Sequence, residues 1–415
     1  MRNPATVFHE MGIYWAAIAT RGMAGNAHNP MQTLLSSYRS SGANAHTSQH
    51  PSPALAIIPE GGICTDGFYW LSLGLSNIRF LYMRTILLSL CVAAAMSASA
   101  HTLSDRAHNP ILPGFHADPE ILYSENTGRY YIYSTTDGQP GWGGWYFHVF
   151  SSDNLTDWHD DGIMLDVKSE QVPWANGNAW APAIIERKEG DGYRYYFYYS
   201  GHSPEDNRKE IGVAVADSPT GPFVDLGRPL VKDSPAGHGQ QIDVDVFRDP
   251  ASGKYYLYWG NGYMAGAELN DDMTSLKEET ITVMTPQGGT LETYAFREAP
   301  YVFYRNGIYY FLWSVDDTGS PNYHVAYGTS DSPLGPIKVA DPCTILIQRP
   351  DKEIYGPAHN SVLNIPGTDE WCIVYHRINK EYIDRDKGPG WHREVCIDRM
   401  EFNPDGSIKP VVPTR

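Results

Sequence analysis

The chain has 415 residues, and its 48 acidic against 31 basic side chains give a net charge of −17 at pH 7. This balance argues against a nucleic-acid-binding protein, which would carry a basic surface. The 28 Tyr, 11 Trp, 39 Gly and 30 Pro favour an all-β fold, because aromatic residues are enriched in strands and Gly and Pro in turns. The chain exceeds the roughly 250–300 residues of a single hydrophobic core, so we expect one large domain and an additional segment, or two domains.

The first hundred residues differ from the rest, since they contain five Arg, three acidic residues and no Lys. Residues 83–100 (MRTILLSLCVAAAMSASA) have the layout of a secretory signal peptide: a basic residue, a short apolar run and a small-residue cleavage site. We therefore expect 1–82 to be an upstream extension, disordered or absent from the native protein, and 83–100 to be a signal peptide. The domain over 101–415 would then be secreted or periplasmic. The alternative is a genuine N-terminal extension with an internal hydrophobic segment.

Residues 101–415 contain five repeats of about sixty residues, each with a short strand, a turn and an aromatic strand. The aromatic strands are GRYYIYSTT (128–136), GYRYYFYYSG (192–201), GKYYLYWGNG (253–262), NGIYYFLWS (306–314) and EWCIVYHR (370–377). Each repeat leaves enough residues for two further strands, and four-stranded units arranged around an axis form a β-propeller. The sequence therefore predicts a five-bladed β-propeller over 101–415. A β-sandwich with fortuitous hairpins is the alternative.

The first strand of each blade lines the central channel of a propeller, so equivalent positions of the repeats meet at one mouth. Aligning the repeats gives one column with Asp118, Ala181, Asp243, Ala299 and His359, and a preceding column with Ala117, Trp180, Ile242, Glu298 and Ala358. Three carboxylates, a His and a Trp thus converge. Because a buried charge is costly unless it is paired or functional, we interpret these carboxylates as functional. The one-residue offset of Glu298 counts against this grouping, since side chains alternate along a strand.

Two carboxyl groups flanking the anomeric carbon of a sugar perform glycoside hydrolysis, one as a protonated general acid and one as an ionised base or nucleophile. A third carboxylate nearby raises the pKa of the acid by like-charge repulsion. Tyr and Trp suit the apolar faces of sugars. The sequence therefore predicts a secreted enzyme that acts on extracellular polysaccharide.

Several segments at these positions resemble glycoside hydrolase family 43, whose members are five-bladed propellers that act on arabinans and xylans. The matching segments are NPILPGFHADPEI (109–121), WAPAI (180–184), QIDVDVFRDPASGKYYLYWG (241–260), REAPYVFYRNGIYYFLWS (297–314), GPAHNSV (356–362) and WHREVCIDRMEF (391–402). The resemblance implies an inverting mechanism in which Asp118 activates water as general base and Glu298 is the general acid. Asp243 would orient the acid and tune its pKa.

The resemblance also implies that Trp180 forms part of the sugar-facing wall and that Arg393 hydrogen-bonds the sugar. His359 matches a His that belongs to a calcium or other ion site in several members, although the chemistry itself requires no cofactor. Each has a structural alternative: core packing for Trp180, a salt bridge to Glu394 or Asp398 for Arg393, and a hydrogen-bonded channel residue for His359.

This sequence departs from the family pattern at two positions. Val244 replaces the Pro of the usual Ile-Asp-Pro, and Ala183 replaces the Asp of the usual Trp-Ala-Pro-Asp. Because of the first change, Asp245 competes with Asp243 as the third acid; the alignment of the repeats favours Asp243.

The function that these residues favour is an exo-acting α-L-arabinofuranosidase that removes arabinose from arabinan or arabinoxylan. The alternatives are a β-xylosidase, an endo-arabinanase, a retaining β-fructosidase-like enzyme and, in a different class, a non-catalytic sugar-binding propeller. We expect a plant cell-wall polysaccharide or oligosaccharide as partner, including xylo-oligosaccharide, with no nucleic acid and no membrane span in the mature protein. The loop at 138–148, with Trp142 and Trp145, is the candidate wall of an exo pocket.

Overall fold

A computed structural model of the protein describes residues 108–383 and 390–415. The predicted extension (1–82), the predicted signal peptide (83–100) and residues 101–107 lie outside the described residues, so these boundaries stay predictions. In the two described ranges, we find no helix with the length and apolar character needed to cross a membrane.

The described residues form five antiparallel sheets, which we number blades 1 to 5 in chain order. Blade 1 has β1 (His116–Ser124), β2 (Arg129–Thr136), β3 (Tyr146–Ser152) and β4 (His159–Asp166), and blade 2 has β5 (Trp180–Glu189), β6 (Gly192–Ser203), β7 (Arg208–Ala216) and β8 (Val224–Asp225). Blade 3 has β9 (Asp245–Arg248), β10 (Tyr255–Trp259), β11 (Ala265–Glu268) and β12 (Thr282–Val283). Blade 4 has β13 (Glu298–Arg305), β14 (Ile308–Val315), β15 (His324–Ser330) and β16 (Lys338–Leu346). Blade 5 has β17 (Tyr355–Asn364), β18 (Trp371–Ile378) and β19 (Arg393–Met400). Short 3₁₀ turns lie at Pro140–Trp142, Glu278–Thr280, Pro350–Lys352 and Lys380–Tyr382. This arrangement confirms the predicted five-bladed propeller.

Blade 5 has three strands, whereas the repeat predicted four. Beyond β19, the start of the described chain contacts this blade. The amide of Ile111 donates to the carbonyl of Val395 at 2.9 Å, and the side chain of Asn109 donates to the carbonyl of Ile397 and accepts from its amide. Residues from the beginning of the domain therefore complete its last blade and close the ring.

The hydrophobic core of the described residues is divided into five clusters, each between two neighbouring blades. Successive side chains of a strand point to opposite faces, so one aromatic strand serves two clusters. In β6, Tyr195 and Phe197 pack against blade 1, while Tyr196 and Tyr198 pack against blade 3. The run of consecutive aromatic residues in each repeat thus reflects strands that are buried on both faces.

Each blade carries the same backbone irregularity in its first strand or, in blade 3, just before it. The register shifts there in blades 1, 2, 4 and 5, which is the pattern of a β-bulge. All five blades place a non-glycine residue in the left-handed region at this point, with φ of 50° at Asp118, 45° at Ala181, 58° at Asp243, 57° at Ala299 and 46° at His359. Such residues are uncommon, so a fivefold repetition marks a constraint of the architecture.

Hydrogen bonds between blades hold these bulges. In three cases, a side chain on the second strand of one blade accepts a hydrogen bond from the bulge amide of the next blade. The pairs are Thr135 with Ala181, Ser200 with Asp243, and Ser314 with His359. In the same way, His376 of blade 5 accepts from the amide of Asp118 in blade 1. Blade 3 has Gly260, which has no side chain, at this position.

Candidate active site

All six residues that the sequence analysis singled out line one pocket at the channel mouth: Asp118, Trp180, Asp243, Glu298, His359 and Arg393. The bulges explain how both columns of the alignment reach it. A bulge breaks the strict alternation of side chains along a strand. In blade 3, where Asp243 is the left-handed residue, the successive residues Ile242 and Asp243 both line the pocket. The offset of Glu298 is therefore no obstacle to its meeting the two Asp. The cavity volume of this pocket is about 160 Å³.

Asp118 is buried among cationic and hydrogen-bonding groups. Its Oδ1 lies 3.0 Å from Arg393 Nη1 and 3.1 Å from His359 Nδ1, and its Oδ2 accepts from the hydroxyl of Thr135 at 2.7 Å. Burial alone would raise the pKa of this carboxyl, but Arg393 and the two histidines, His359 and His376, hold the pKa well below its usual value of 3.8. Asp118 is consequently ionised over the ordinary pH range, as a base must be.

Glu298 and Asp243 have the opposite electrostatic character. Burial raises the pKa of Glu298, against the hydrogen bond that its Oε1 accepts from Tyr323 at 2.8 Å. Burial raises the pKa of Asp243 well above 3.8, and the nearby charges of Glu298 and Asp118 raise it further. Two neighbouring buried carboxyls resist double ionisation. The pair therefore retains a proton at a pH where Asp118 has lost its own.

Asp245, the competing third acid, lies outside this pocket. It is buried in the channel, where its Oδ2 accepts from the amide of Val302 at 2.8 Å. Burial raises its pKa to about 8. Burial also raises the pKa of Glu120, and the charge of Asp245 adds to that effect. Glu120 and Asp245 thus form a second carboxyl pair, apart from the pocket.

Arg393 is fixed by two carboxylates. Its Nε donates to Asp137 at 2.9 Å, and its Nη1 donates to Asp118 and, at 3.1 Å, to the hydroxyl of Thr318. The salt-bridge partners considered from the sequence are engaged elsewhere, because Glu394 pairs with Arg377 and Asp398 accepts from Tyr375 and Thr414. Arg393 therefore belongs to the pocket and at the same time balances the charge of Asp118.

Trp142 and Trp180 form an aromatic wall. The indole nitrogen of Trp180 donates to the carbonyl of Trp142 at 2.8 Å, and the guanidinium of Arg393 lies 4.9 Å from the ring of Trp142. Of the two tryptophans in the 138–148 loop, only Trp142 lines the pocket; Trp145 packs against the core between blades 1 and 2.

His359 lines the pocket, but its neighbours do not match a calcium site. Ca²⁺ takes six to eight oxygen ligands. The carboxylate beside His359 is that of Asp118, which already accepts from Arg393 and Thr135. Over the described ranges, no cluster of three or more His, Cys, Asp or Glu is arranged to hold a metal ion. The ion implied by the family resemblance stays an expectation.

The residues that hold the catalytic candidates in place were not predicted from the sequence. Thr135 and His376 contact Asp118, Asp137 holds Arg393, and Tyr323 and Asn261 donate to Glu298. Thr135 and His376 occupy equivalent second-strand positions, so comparing that column as well would have identified them. Asp137, Asn261 and Tyr323 lie outside the named strands, where no repeat signal points to them.

Comparison with known proteins gives a consistent result. The sequence pattern of Glycosyl hydrolases family 43 matches residues 107–408. A β-D-galactofuranosidase of Aspergillus niger, xynD, is 36% identical over 321 residues, which cover 75% of this chain and 86% of that protein. A xylosidase/arabinosidase of Bacteroides ovatus is 27% identical over 344 residues, covering 72% and 95%.

Among solved structures, the crystal structure of a thermostable family-43 glycoside hydrolase superimposes with a TM-score of 0.64. That chain is 31% identical in sequence, and the match covers 74% of this chain and 97% of the other. The shared region is the propeller that carries the pocket.

Proposed function

Since the chain belongs to glycosyl hydrolase family 43 and is a glycoside hydrolase, we propose that it is an inverting, exo-acting α-L-arabinofuranosidase. The observation that carries this proposal is the division of labour in one pocket. The surroundings of Asp118 keep it ionised, while those of Glu298 and Asp243 keep a proton on the pair. One ionised and one protonated carboxyl are what hydrolysis of a glycosidic bond requires.

In the proposed reaction, Asp118 takes a proton from a water molecule as that water attacks the anomeric carbon. Glu298 gives its proton to the glycosidic oxygen, and the leaving group departs as an alcohol. Asp243 keeps the pKa of the pair high and so favours the protonated acid. Both proton transfers use carboxyl groups of the chain, so the steps need no cofactor.

The pocket dimensions support exo action. In this proposal, a single sugar ring binds between the indoles of Trp142 and Trp180 and the charged side chains of Asp118 and Arg393, all of which line the pocket. An endo-arabinanase would need an open cleft that accepts a chain on both sides of the cleaved bond. β-Xylosidase activity is the alternative within the family, since the Bacteroides ovatus relative is named for both sugars.

A second candidate activity is β-D-galactofuranosidase, favoured by the 36% identity to the Aspergillus niger enzyme of that name. An α-L-arabinofuranoside and a β-D-galactofuranoside present similar five-membered rings and differ in the length of the exocyclic side chain. The same pair of carboxyls would serve both.

The natural substrate under this proposal is arabinan, arabinoxylan or a related plant cell-wall oligosaccharide. Relatives named for arabinoxylan support it, among them the enzyme of Paenibacillus polymyxa. Export of the enzyme by the predicted signal peptide would bring it to such material, which cells do not take up intact. A secreted or periplasmic location is therefore part of the proposal.

The test uses the full chain and three 4-nitrophenyl glycosides: α-L-arabinofuranoside, β-D-xyloside and β-D-galactofuranoside. We expect cleavage of the arabinofuranoside, with kcat reduced by at least about a thousandfold in Asp118→Asn and Glu298→Gln. Asp153→Asn, which changes an exposed carboxylate, is the matched control and should retain activity. NMR of the first product should show inverted anomeric configuration.

Three outcomes would contradict parts of the proposal. Preferred cleavage of another glycoside would reassign the sugar. A product of retained configuration would exclude Asp118 as a base for water. Binding of arabino-oligosaccharide without any cleavage would identify a sugar-binding propeller.

A further inference from the structure

A polar groove adjoins the pocket on the side of Glu298. It has a cavity volume of about 700 Å³, against about 160 Å³ for the pocket. The two cavities share Gln240 and Asn261, whose backbones form an isolated β-bridge. The bridge of Gln240 and Asn261 therefore lies at the boundary between the two cavities.

The position of the acid determines which part of the substrate would extend from the pocket into the groove. Asn261 donates from its side chain to Oε2 of Glu298. The groups that hold Asp118 come from blades 1 and 5. The groove and its boundary at Gln240 and Asn261 come from blades 2 and 3. In an inverting reaction the acid and the base act on opposite faces of the sugar, and the acid stands beside the leaving group. The groove therefore lies on the leaving-group side.

The lining of the groove suits a chain of sugars. Its residues include Lys209, Asp233, Ser234, His238, Gln240 and Asn261, all of which offer hydrogen bonds to hydroxyl groups. Lys209 is half-buried, and its ammonium lies 5.3 Å from the ring centre of Trp180, so it stands between groove and pocket. The nearby carboxylates of Asp233 and Glu205 pair with Arg208 and Lys232, and none of the ion pairs among the described residues includes Lys209. The three donors of its ammonium are therefore available to a ligand.

The floor of the groove is firmly held. The side-chain oxygen of Gln241 accepts from Trp259 and Tyr263 at 2.8 and 2.7 Å, and its nitrogen donates to Ser234 and to the carbonyl of Gly239. A Cβ at Gly239 would come within 1.8 Å of the carbonyl of Asn261, so only glycine permits this approach. A surface fixed in this way needs little ordering when a ligand binds.

We propose that this groove binds the leaving group of the substrate, an oligosaccharide main chain of two or more sugar units, with Lys209 as a principal contact. This inference rests on the proposed function, because it takes Glu298 as the acid. It adds that the enzyme acts on branches of a longer chain more efficiently than on a sugar with a small leaving group.

The experiment compares a branched arabinoxylo-oligosaccharide with the 4-nitrophenyl α-L-arabinofuranoside in two lysine variants of the full chain. In Lys209→Ala, the ratio of kcat/KM for the oligosaccharide to that for the aryl glycoside should fall roughly tenfold, the effect of one lost hydrogen bond from a charged donor. The ratio should stay within about twofold in Lys188→Ala, which removes an exposed lysine of the same blade, near the ring of Tyr193. An unchanged ratio in Lys209→Ala would overturn the proposal.

A binding measurement separates failure of the groove from failure of the proposed function. Calorimetry with Glu298→Gln, which cannot act as the acid, measures the affinity for the same oligosaccharide without turnover. Affinity that falls roughly tenfold on adding Lys209→Ala supports the groove even if no furanoside is cleaved. Affinity that Lys209→Ala leaves unchanged, or no binding at all, overturns the groove even if the aryl glycoside is cleaved.

Discussion

Replacing Arg393 by Met should raise the pH below which the enzyme loses activity. Arg393 Nη1 lies 3.0 Å from Asp118 Oδ1, and its charge is the largest influence that lowers the pKa of Asp118 against the effect of burial. Two unit charges about 4 Å apart interact by about 4 kcal/mol at an effective dielectric constant of 20. Water that enters the space left by the Arg393 guanidinium replaces part of this interaction energy. We therefore expect the acid limb of kcat/KM to move up by about one to three pH units.

The assay is the pH dependence of kcat/KM for the 4-nitrophenyl glycoside that the wild type cleaves best. Arg393→Lys keeps the charge and should leave the acid limb close to its wild-type position, which separates the electrostatic effect from lost contacts with the sugar. In Arg393→Met, Asp118 and Asp137 both lose their counter-charge, at a cost of about 3–5 kcal/mol in the free energy of unfolding.

Because of this cost, the double variant Arg393→Met/Asp137→Asn is measured beside the single one. It removes one of the two carboxylates that Arg393→Met leaves without a counter-charge. Circular dichroism checks that each variant is folded at each pH. A folded Arg393→Met or double variant whose acid limb coincides with that of the wild type would refute the assignment of Asp118 as the base whose charge Arg393 maintains.

Two further predictions concern the other carboxyls. Burial raises the pKa of Glu120 and that of Asp245, the latter to about 8. The contribution of these two groups to the free energy of unfolding is therefore complete below about pH 4, where both are protonated, and is lost as pH rises toward 8. Urea unfolding of Glu120→Gln should therefore show a gain of about 1–3 kcal/mol at pH 8 and little change at pH 4; equal effects at both would contradict this. Tyr323→Phe removes a hydrogen bond that lowers the pKa of Glu298, so the alkaline limb of kcat/KM should rise by about one pH unit. The control is Tyr327→Phe, because the hydroxyl of Tyr327 accepts a hydrogen bond from the backbone amide of Ile408 in the core. An equal shift of the alkaline limb in both variants would exclude a specific effect of the contact between Tyr323 and Glu298.

The repeat pattern predicted the blades and the meeting of the main site residues because both follow from strand periodicity. The aromatic runs are buried on both faces, which makes every repeat visible in the sequence. The two-column alignment predicted that Asp118, Asp243 and Glu298 would meet. The one-residue offset of Glu298 counted against this grouping because strict alternation of side chains along a strand was assumed. The left-handed backbone at Asp118 and Asp243, which breaks this alternation, has no sequence signature of its own.

The supporting residues were harder to predict because tertiary contacts select them. Asn261 and Tyr323 reach Glu298 from segments outside the named strands, and Asp137 follows β2 before it meets Arg393. Nothing in the local sequence distinguishes these polar residues from others in turns. The replacement of a fourth strand in blade 5 by contacts from Asn109 and Ile111 likewise depends on how the ring closes.

The closure of blade 5 has a consequence for the order of folding. Asp118 lies in the first blade, yet its partners His376 and Arg393 follow 258 and 275 residues later. Contacts of such long sequence separation form late, because the intervening chain must first lose its freedom. Asp118, the proposed general base, therefore acquires its charge environment only when the two ends of the domain meet. A nascent or partly folded chain would hold every catalytic side chain and still be inactive, so the onset of hydrolysis during refolding would report directly on ring closure.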